Sequence, residues 1–293
     1  MSTLEKNVVQ AWGAQGKEWL KNLPTIVEAI TAKWQLTDLT PFTNLSYNYV
    51  LKGFQYKKPV VVKMGFDSLA IKQEGLTLDT YNGSGSVRLL DADLSMNALL
   101  IEHSLPGATL KPFFSQRDDQ AIAQTISVIK RLHAIPVAEP TLFPDLQEWL
   151  KALENPHPAL STMHINKARE LSSSLLATQK EKVLLHGDLH HENIVSSTRD
   201  HWLAIDPKGI WGDPTYEVGA FIRNPFPELL HQQNLNDIIA RRVTLFAEHL
   251  NLDRQRIQEW AYVQAVLAAC WAMEDGETDP LYAMIEAEIL EIK

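Results

Sequence analysis

The sequence predicts an α+β protein with a small antiparallel sheet in its N-terminal part and a mainly helical remainder. Three observations carry this. Residues 47–64 hold two runs of β character: Tyr47, Tyr49 and Leu51 alternate, and Pro59-Val60-Val61-Val62-Lys63-Met64 is rich in β-branched side chains, which suit a pleated, half-buried surface. A second pair of short apolar runs, residues 87–90 and 98–103, brackets the polar stretch 91–97 and reads as another hairpin. Beyond Leu105-Pro106-Gly107 the spacing turns helical. Ile122, Ile126, Ile129 and His133 fall at i, i+4, i+7 and i+11, and so do Ile239, Val243, Phe246 and Leu250, each set lining one face of a helix.

Taken in order, the chain begins with Trp12, Trp19, Leu23, Ile26, Val27, Ile30 and Trp34 at mostly helical spacing, interrupted by Pro24. Proline removes a helix hydrogen bond and clashes with the preceding turn, so two short helices are expected before residue 36. Lys52-Gly53 punctuates the strand region, and the two runs around it pair as a hairpin. Residues 67–80 then form a helix with Ile71, Glu74 or Gly75, and Leu78 on one face. Asp118-Asp119 opens the next helix, because carboxylates favour the positive end of the helix dipole. The proline-containing residues 135–158 read as an ordered connection. One β island, Val183-Leu184-Leu185, Asn193-Ile194-Val195 and Trp202-Leu203-Ala204-Ile205, lies amid helices and is expected to support a site. Residues 261–273 are apolar and uncharged, shorter than the roughly 20 residues a bilayer needs, and read as a buried helix.

Composition narrows the function. The chain has 293 residues, 45% of them apolar, and one cysteine. That is ample for a buried core and excludes a disordered chain or a disulfide scaffold. At about 150 residues per domain two units are expected, with a boundary near residue 104, giving 1–103 and 104–293. A net charge of −9, from 27 Lys+Arg against 36 Asp+Glu, argues against a nucleic-acid grip, which needs clustered cations. Cationic or neutral partners fit better. Cys270 alone forms no internal disulfide and no thiolate metal site, which suits a reducing, cytoplasmic setting. The opening residues Met1-Ser2-Thr3-Leu4-Glu5-Lys6 lack the apolar core of a secretory leader, and no membrane partner is expected.

The densest polar cluster is Leu185-His186-Gly187-Asp188-Leu189-His190-His191-Glu192-Asn193-Ile194, followed by Trp202-Leu203-Ala204-Ile205-Asp206-Pro207-Lys208-Gly209. Short apolar runs around the turn formers of residues 196–201 predict a hairpin. Closing it puts Asn193, at the start of one strand, beside Asp206, at the end of the other. Asp188 lies in the loop leading in. Two hard oxygen donors suit Mg²⁺, which keeps several waters and binds through one or two protein groups plus substrate phosphates. The constellation describes phosphoryl transfer. His186, His190 and His191 with Asp188 offer a transition-metal alternative, but adjacent loop histidines point apart and no H-E-x-x-H helical spacing occurs.

His186-Gly187-Asp188 with Asn193 five residues after the aspartate resembles the catalytic loop of the aminoglycoside phosphotransferase-like kinases. Asp206 with Gly209, Gly212-Asp213-Pro214, Tyr216-Glu217 and Arg223-Asn224-Pro225 is similar to the branch of streptomycin 6-kinases and hydroxyurea phosphotransferases. So are the Trp-rich leading helices with Leu23-Pro24, and Trp271-Ala272-Met273-Glu274-Asp275-Gly276. The resemblance covers nearly the whole chain. It implies a two-lobed protein-kinase-like fold with the active site between the lobes, and ATP and Mg²⁺ as cofactors. Asp188 is then the catalytic base, and Asn193 and Asp206 the metal ligands. Lys63 holds the α- and β-phosphates with Glu74 as its partner, and Glu102-His103-Ser104 is the hinge offering backbone groups to adenine. His186 is structural, while His190 and His191 are exposed. Tyr216, Phe221, Trp260 and Trp271 read as core.

Two departures shape the reading. The phosphate-covering turn Thr43-Asn44-Leu45-Ser46 has no glycine, so Ser46 or Asn44 supplies donors instead. The metal segment is Asp-Pro-Lys-Gly, and Pro207 fixes φ, which fits a constitutive small-molecule kinase. The resemblance places Asp213, Glu217, Glu274 and Asp275 on the acceptor side, where carboxylates attract a cationic acceptor. The expected enzyme phosphorylates a hydroxyl of a streptomycin-like aminoglycoside. The alternatives are a kinase of a metabolite alcohol, such as an amino-alcohol or sugar, and a kinase-like binding module without turnover.

Overall fold

The computed structural model describes residues 1–114 and 116–274. The chain divides into two compact units, one of residues 1–83 and 87–105, the other of 84–86 and 106 onward.

The first unit opens with α1 (Thr3–Trp34), started by a capping box in which the Ser2 side chain and Glu5 satisfy each other's backbone N–H. Its break is at Gly13, at φ 53° and ψ −125°, and the helix runs on through Pro24. The expected interruption at the proline is therefore displaced. Glycine enters the left-handed region without steric cost, whereas Pro24 gives up one hydrogen bond in a helix whose apolar face is anchored by packing. Ile30 and Trp34 lie in a core cluster with Leu36, Leu51, Val60, Val62, Met64, Ala98 and Leu100.

That cluster is one face of a five-stranded antiparallel sheet in the order β1-β2-β3-β5-β4. Its strands are β1 (Leu36–Pro41), β2 (Asn48–Gln55), β3 (Lys58–Gly65), β4 (Leu89–Asp93) and β5 (Ala98–Glu102), with α2 (Ser68–Tyr81) following β3. Lys52-Gly53 sits inside β2 rather than punctuating it. The turn is instead Tyr56-Lys57, both at positive φ, the two-residue connection that matches strand twist. A Cβ at Gly53 would lie 2.7 Å from the Thr37 carbonyl, so the glycine permits the close approach of β1, a strand that the sequence pattern does not announce. β3 is buried on both faces, its even positions under α1 and Val61 and Lys63 on the other side with Leu99, Ile101 and α2. Asp67 caps α2 through the N–H groups of Leu69 and Ala70.

The second unit is mainly helical. β6 (Pro106–Thr109) leads to α3 (Asp118–His133), α4 (Leu146–Trp149) and α5 (Thr162–Ala177). Then come β7 (Val183–Leu185), β8 (Ile194–Ser197), β9 (His201–Ala204) and β10 (Ile210–Gly212), followed by α6 (Gly219–Ile222), α7 (Leu235–Leu250) and α8 (Arg254–Glu274). The β island forms two small sheets, β6-β8-β9 and β10-β7. α8 is buried along most of its length, Trp260 to Leu267 entirely so. No described helix is long and apolar enough to cross a membrane.

Candidate active site

The β8–β9 hairpin pairs Ile194 with Ala204, and the Ile205 N–H donates to the Asn193 carbonyl at 2.9 Å, extending the ladder by one step. Asn193 and Asp206 therefore emerge together at one end of the hairpin. The Asn193 amide nitrogen donates to the Asp188 carbonyl at 2.9 Å, and its backbone N–H donates to the His190 carbonyl at 3.0 Å. These bonds close residues 188–193 into a compact loop and leave the Asn193 side-chain oxygen as the acceptor. A carboxylate and an amide oxygen at one hairpin end are the donor set that a hard cation with retained waters takes. Among the described residues no group of three His, Cys, Asp or Glu could cage a metal, so a cation here would be held by few protein groups.

Backbone geometry fixes the surroundings. Gly187 is at φ 84°, and a Cβ there would meet Ile210 Cδ1 at 2.5 Å, so only glycine fits. Asp206 also has positive φ, 61°, although it is not a glycine, and Pro207 follows it. The Lys208 N–H then donates to the His186 carbonyl at 2.7 Å. The His186 ring is completely buried. Its Nδ1 accepts the Asp188 N–H at 3.3 Å and its Nε2 lies 2.8 Å from the Ile205 carbonyl. Burial pushes its pKa down against the raising influence of Glu217, and the ring ties the Asp188 loop to the chain at Ile205. With both ring nitrogens committed, His186 is no metal ligand.

The Asp188 carboxylate is partly exposed, with Lys208 Nζ 3.8 Å from one oxygen and His190 Nε2 3.9 Å from the other. In the first unit, Lys63 Nζ and Glu74 Oε2 are 2.7 Å apart and both side chains are buried. The strand and helix carrying them pack face to face, so the pair is preset by the fold. Ser46 is exposed in the loop between β1 and β2. Glu102 ends β5, where its N–H donates to the Arg88 carbonyl at 2.9 Å and its carboxylate takes the Arg88 N–H at 3.0 Å. The Glu102 N–H is thus spent within the sheet, and His103 and Ser104 follow beyond the strand. The His103 ring stands edge-on to Phe42, and Ser104 is buried.

Asp213 and Glu217 do not face an acceptor. Asp213 is 3% exposed. Its carboxylate caps the turn at Thr215, takes the Trp260 indole N–H at 2.9 Å and pairs with Arg256. Glu217 is 1% exposed and accepts the N–H groups of His186 and Gly187, with His133 Nε2 3.1 Å away. Burial alone would raise its pKa, but the His133 hydrogen bond and charge, His186 and the Gly187 N–H together hold the carboxyl below its ordinary value. Glu274 is exposed at the end of α8, and Asp275 lies outside the described residues.

His191 is completely buried rather than exposed. It stacks on Phe221 with ring centroids 3.9 Å apart. Beside it Arg242, also fully buried, grips Asp118 with two nitrogens at 2.7 and 2.9 Å and donates to the carbonyls of Phe221, Ile222 and Asn224. This charge cluster underpins the loop from α3 and α7, and local sequence gave it no signal beyond the acidic start of α3. Tyr216, Phe221 and Trp260 are core, and Trp271 packs on Trp149.

The chain is similar to known proteins in sequence and in fold. The model of a family described as aminoglycoside/hydroxyurea antibiotic resistance kinase matches residues 49–276. A streptomycin 6-kinase of Streptomyces glaucescens is 28% identical over 93% of this chain and 90% of its own. A hydroxyurea phosphotransferase of Kitasatospora aureofaciens is 28% identical over 95% and 82%. Among solved structures, a choline kinase from Streptococcus pneumoniae superposes with a TM-score of 0.65 at 14% identity, covering 92% of this chain and 97% of that one. The aminoglycoside phosphotransferase APH(4)-Ia gives 0.66 at 14% identity, covering 91% and 98%. These likenesses identify the fold as kinase-like.

Proposed function

The chain belongs to the aminoglycoside/hydroxyurea antibiotic resistance kinase family, and from that premise we propose that it transfers the γ-phosphoryl group of ATP, with Mg²⁺, to a hydroxyl of a streptomycin-like aminoglycoside. The observation that carries the reading is the hairpin end at which Asn193 and Asp206 emerge beside the loop bearing Asp188. Asn193 and Asp206 would hold the cation, whose charge offsets that of the phosphates. Lys63, held against Glu74, would take the α- and β-phosphates, with Ser46 covering them and the backbone of Glu102, His103 and Ser104 at the end of β5 receiving adenine. Asp188 positions the acceptor hydroxyl and accepts its proton. Positioning and fixed charge supply most of the acceleration, since phosphoryl transfer needs little covalent help. Streptomycin kinases among the relatives support the acceptor class, and the net charge of −9 favours a cationic one. A cytoplasmic enzyme is the fitting setting, where ATP is available.

The fold likeness to a choline kinase favours a second reading, a metabolite amino-alcohol as acceptor. The deciding experiment incubates the protein with ATP-Mg²⁺ and a panel of aminoglycosides and amino-alcohols, then searches by mass spectrometry for a gain of one phosphate. A phosphorylated streptomycin is expected. A phosphorylated amino-alcohol with streptomycin untouched would replace the first reading by the second.

A further inference from the structure

We infer that Lys208 is a catalytic residue, its ammonium contacting the oxygens of the transferred phosphoryl group beside Asp188. The inference rests on the kinase reading and adds a residue to it. Residues 186–194 contain no Lys or Arg, so the loop that carries the base brings no permanent cation of its own. Lys208 supplies one from the neighbouring segment, with Nζ 3.8 Å from Asp188 Oδ2.

The root of this side chain is fixed. Its backbone N–H is held by the His186 carbonyl at 2.7 Å, Pro207 precedes it, and Asp206 and Gly209 on either side have positive φ. A Cβ added at Gly187 would lie 3.3 Å from Lys208 Cβ, so segment and loop are in close contact at the foot of the stem. The tip is open instead, the side chain being 45% exposed. An exposed ion pair of this length adds little to stability, and 3.8 Å is too long for a hydrogen bond. The ammonium's N–H donors are therefore not taken up by Asp188.

The chemistry gives them a target. The acceptor oxygen forms a bond to the γ-phosphorus as the bond from that phosphorus to the β,γ-bridging oxygen breaks. The electron pair leaves on ADP, and the hydroxyl proton passes to Asp188. The attacked phosphorus and its equatorial oxygens then lie just beyond the hydroxyl that Asp188 holds, within reach of an ammonium anchored beside that carboxylate. Lys208 passes no proton in this step and stabilises the charge spread over those oxygens.

The test uses Lys208→Met, whose fold is checked by its melting temperature. Expected are a kcat lower by roughly 10²-fold, an unchanged affinity for ADP-Mg²⁺ by calorimetry, and a comparable loss of affinity for ADP-Mg²⁺ with aluminium fluoride, which mimics the transferring group. A Lys208→Cys protein treated with 2-bromoethylamine should regain turnover, because the only native thiol, Cys270, is buried. Unchanged kcat and aluminium fluoride binding in Lys208→Met would overturn the assignment. So would equal losses for ADP and for the mimic, which indicate a structural role. A wild-type protein that neither binds ADP-Mg²⁺ nor transfers phosphate would instead overturn the kinase reading itself.

Discussion

Glu217 accepts the backbone N–H of His186 at 2.8 Å and that of Gly187 at 3.0 Å, one on each carboxylate oxygen. The side chain thereby holds the two residues before Asp188 from below. A buried donor left without a partner costs about 1–3 kcal/mol, and Glu217→Ala orphans both amides. Its urea midpoint should fall accordingly and turnover should fall with it, whereas Glu217→Gln, which keeps one acceptor oxygen, should be intermediate. A variant with wild-type midpoint and turnover would show that the contact is dispensable.

Asp188→Asn should lower turnover by roughly 10²–10⁴-fold, the range of a general base. Calorimetric affinity for ADP-Mg²⁺ should be retained if the carboxylate serves the acceptor rather than the nucleotide, as proposed. Turnover at the wild-type rate would remove Asp188 from the chemistry.

Lys63 and Glu74 separate stability from activity. Removing one partner of a buried ion pair strands the other and costs about 3–5 kcal/mol, so Lys63→Met and Glu74→Leu should each melt early. The double variant should recover stability, because it replaces both charges by apolar groups, yet remain defective, with a raised KM for ATP. Recovery of both would mean that the pair is structural only.

Asp213→Ala should destabilise by a similar amount, about 3–5 kcal/mol, since Trp260 and Arg256 lose their common acceptor. KM for the acceptor should be unchanged at temperatures where the variant is folded. A selective rise in that KM would return Asp213 to the acceptor site.

Acid should weaken both units. The Lys33 and Ser95 hydrogen bonds hold the Asp93 carboxyl down at about 2, against a normal 3.8. Burial would raise the Asp118 carboxyl, but His191 and Arg242 outweigh it and bring it below its ordinary value. A carboxylate with a lowered folded pKa contributes stability that is present above its unfolded pKa and lost as pH falls through the folded one. The Asp93 contribution should therefore fade between about pH 4 and pH 2. Asp93→Asn should flatten that part of the stability curve measured by denaturant titration.

Much of this was readable where the cause is local. The spacing of Ile122, Ile126 and Ile129 after Asp118-Asp119 marks α3, and Val60-Val61-Val62 marks β3, because periodicity and β-branching act within a few residues. The placement of Asn193 and Asp206 at one hairpin end was readable too, since a short hairpin brings its own ends together. What escaped depends on distant partners. Asp213 and Glu217 look like free acids until Arg256, Trp260 and His133 are brought to them, and His191 looks exposed until Phe221 lies against it. Pro24 outranked Gly13 as a breaker because propensity weighs the lost hydrogen bond but not the packing of Ile30 and Trp34. Lys208 carried no signal, as its closeness to Asp188 arises from a backbone bond to His186.

Residues 84–86 belong with the second unit although residues on both sides of them belong with the first. Gly85 accepts the Ala204 N–H at 2.8 Å, Ser86 accepts from Arg199, and the Ser84 hydroxyl donates to the Arg131 carbonyl. During synthesis these three residues leave the ribosome well before α3, and long before β9 exists to pair with them. Cutting the gene at residue 105 would leave the N-terminal fragment holding a piece of its neighbour, and the C-terminal fragment short of a bridge to β9.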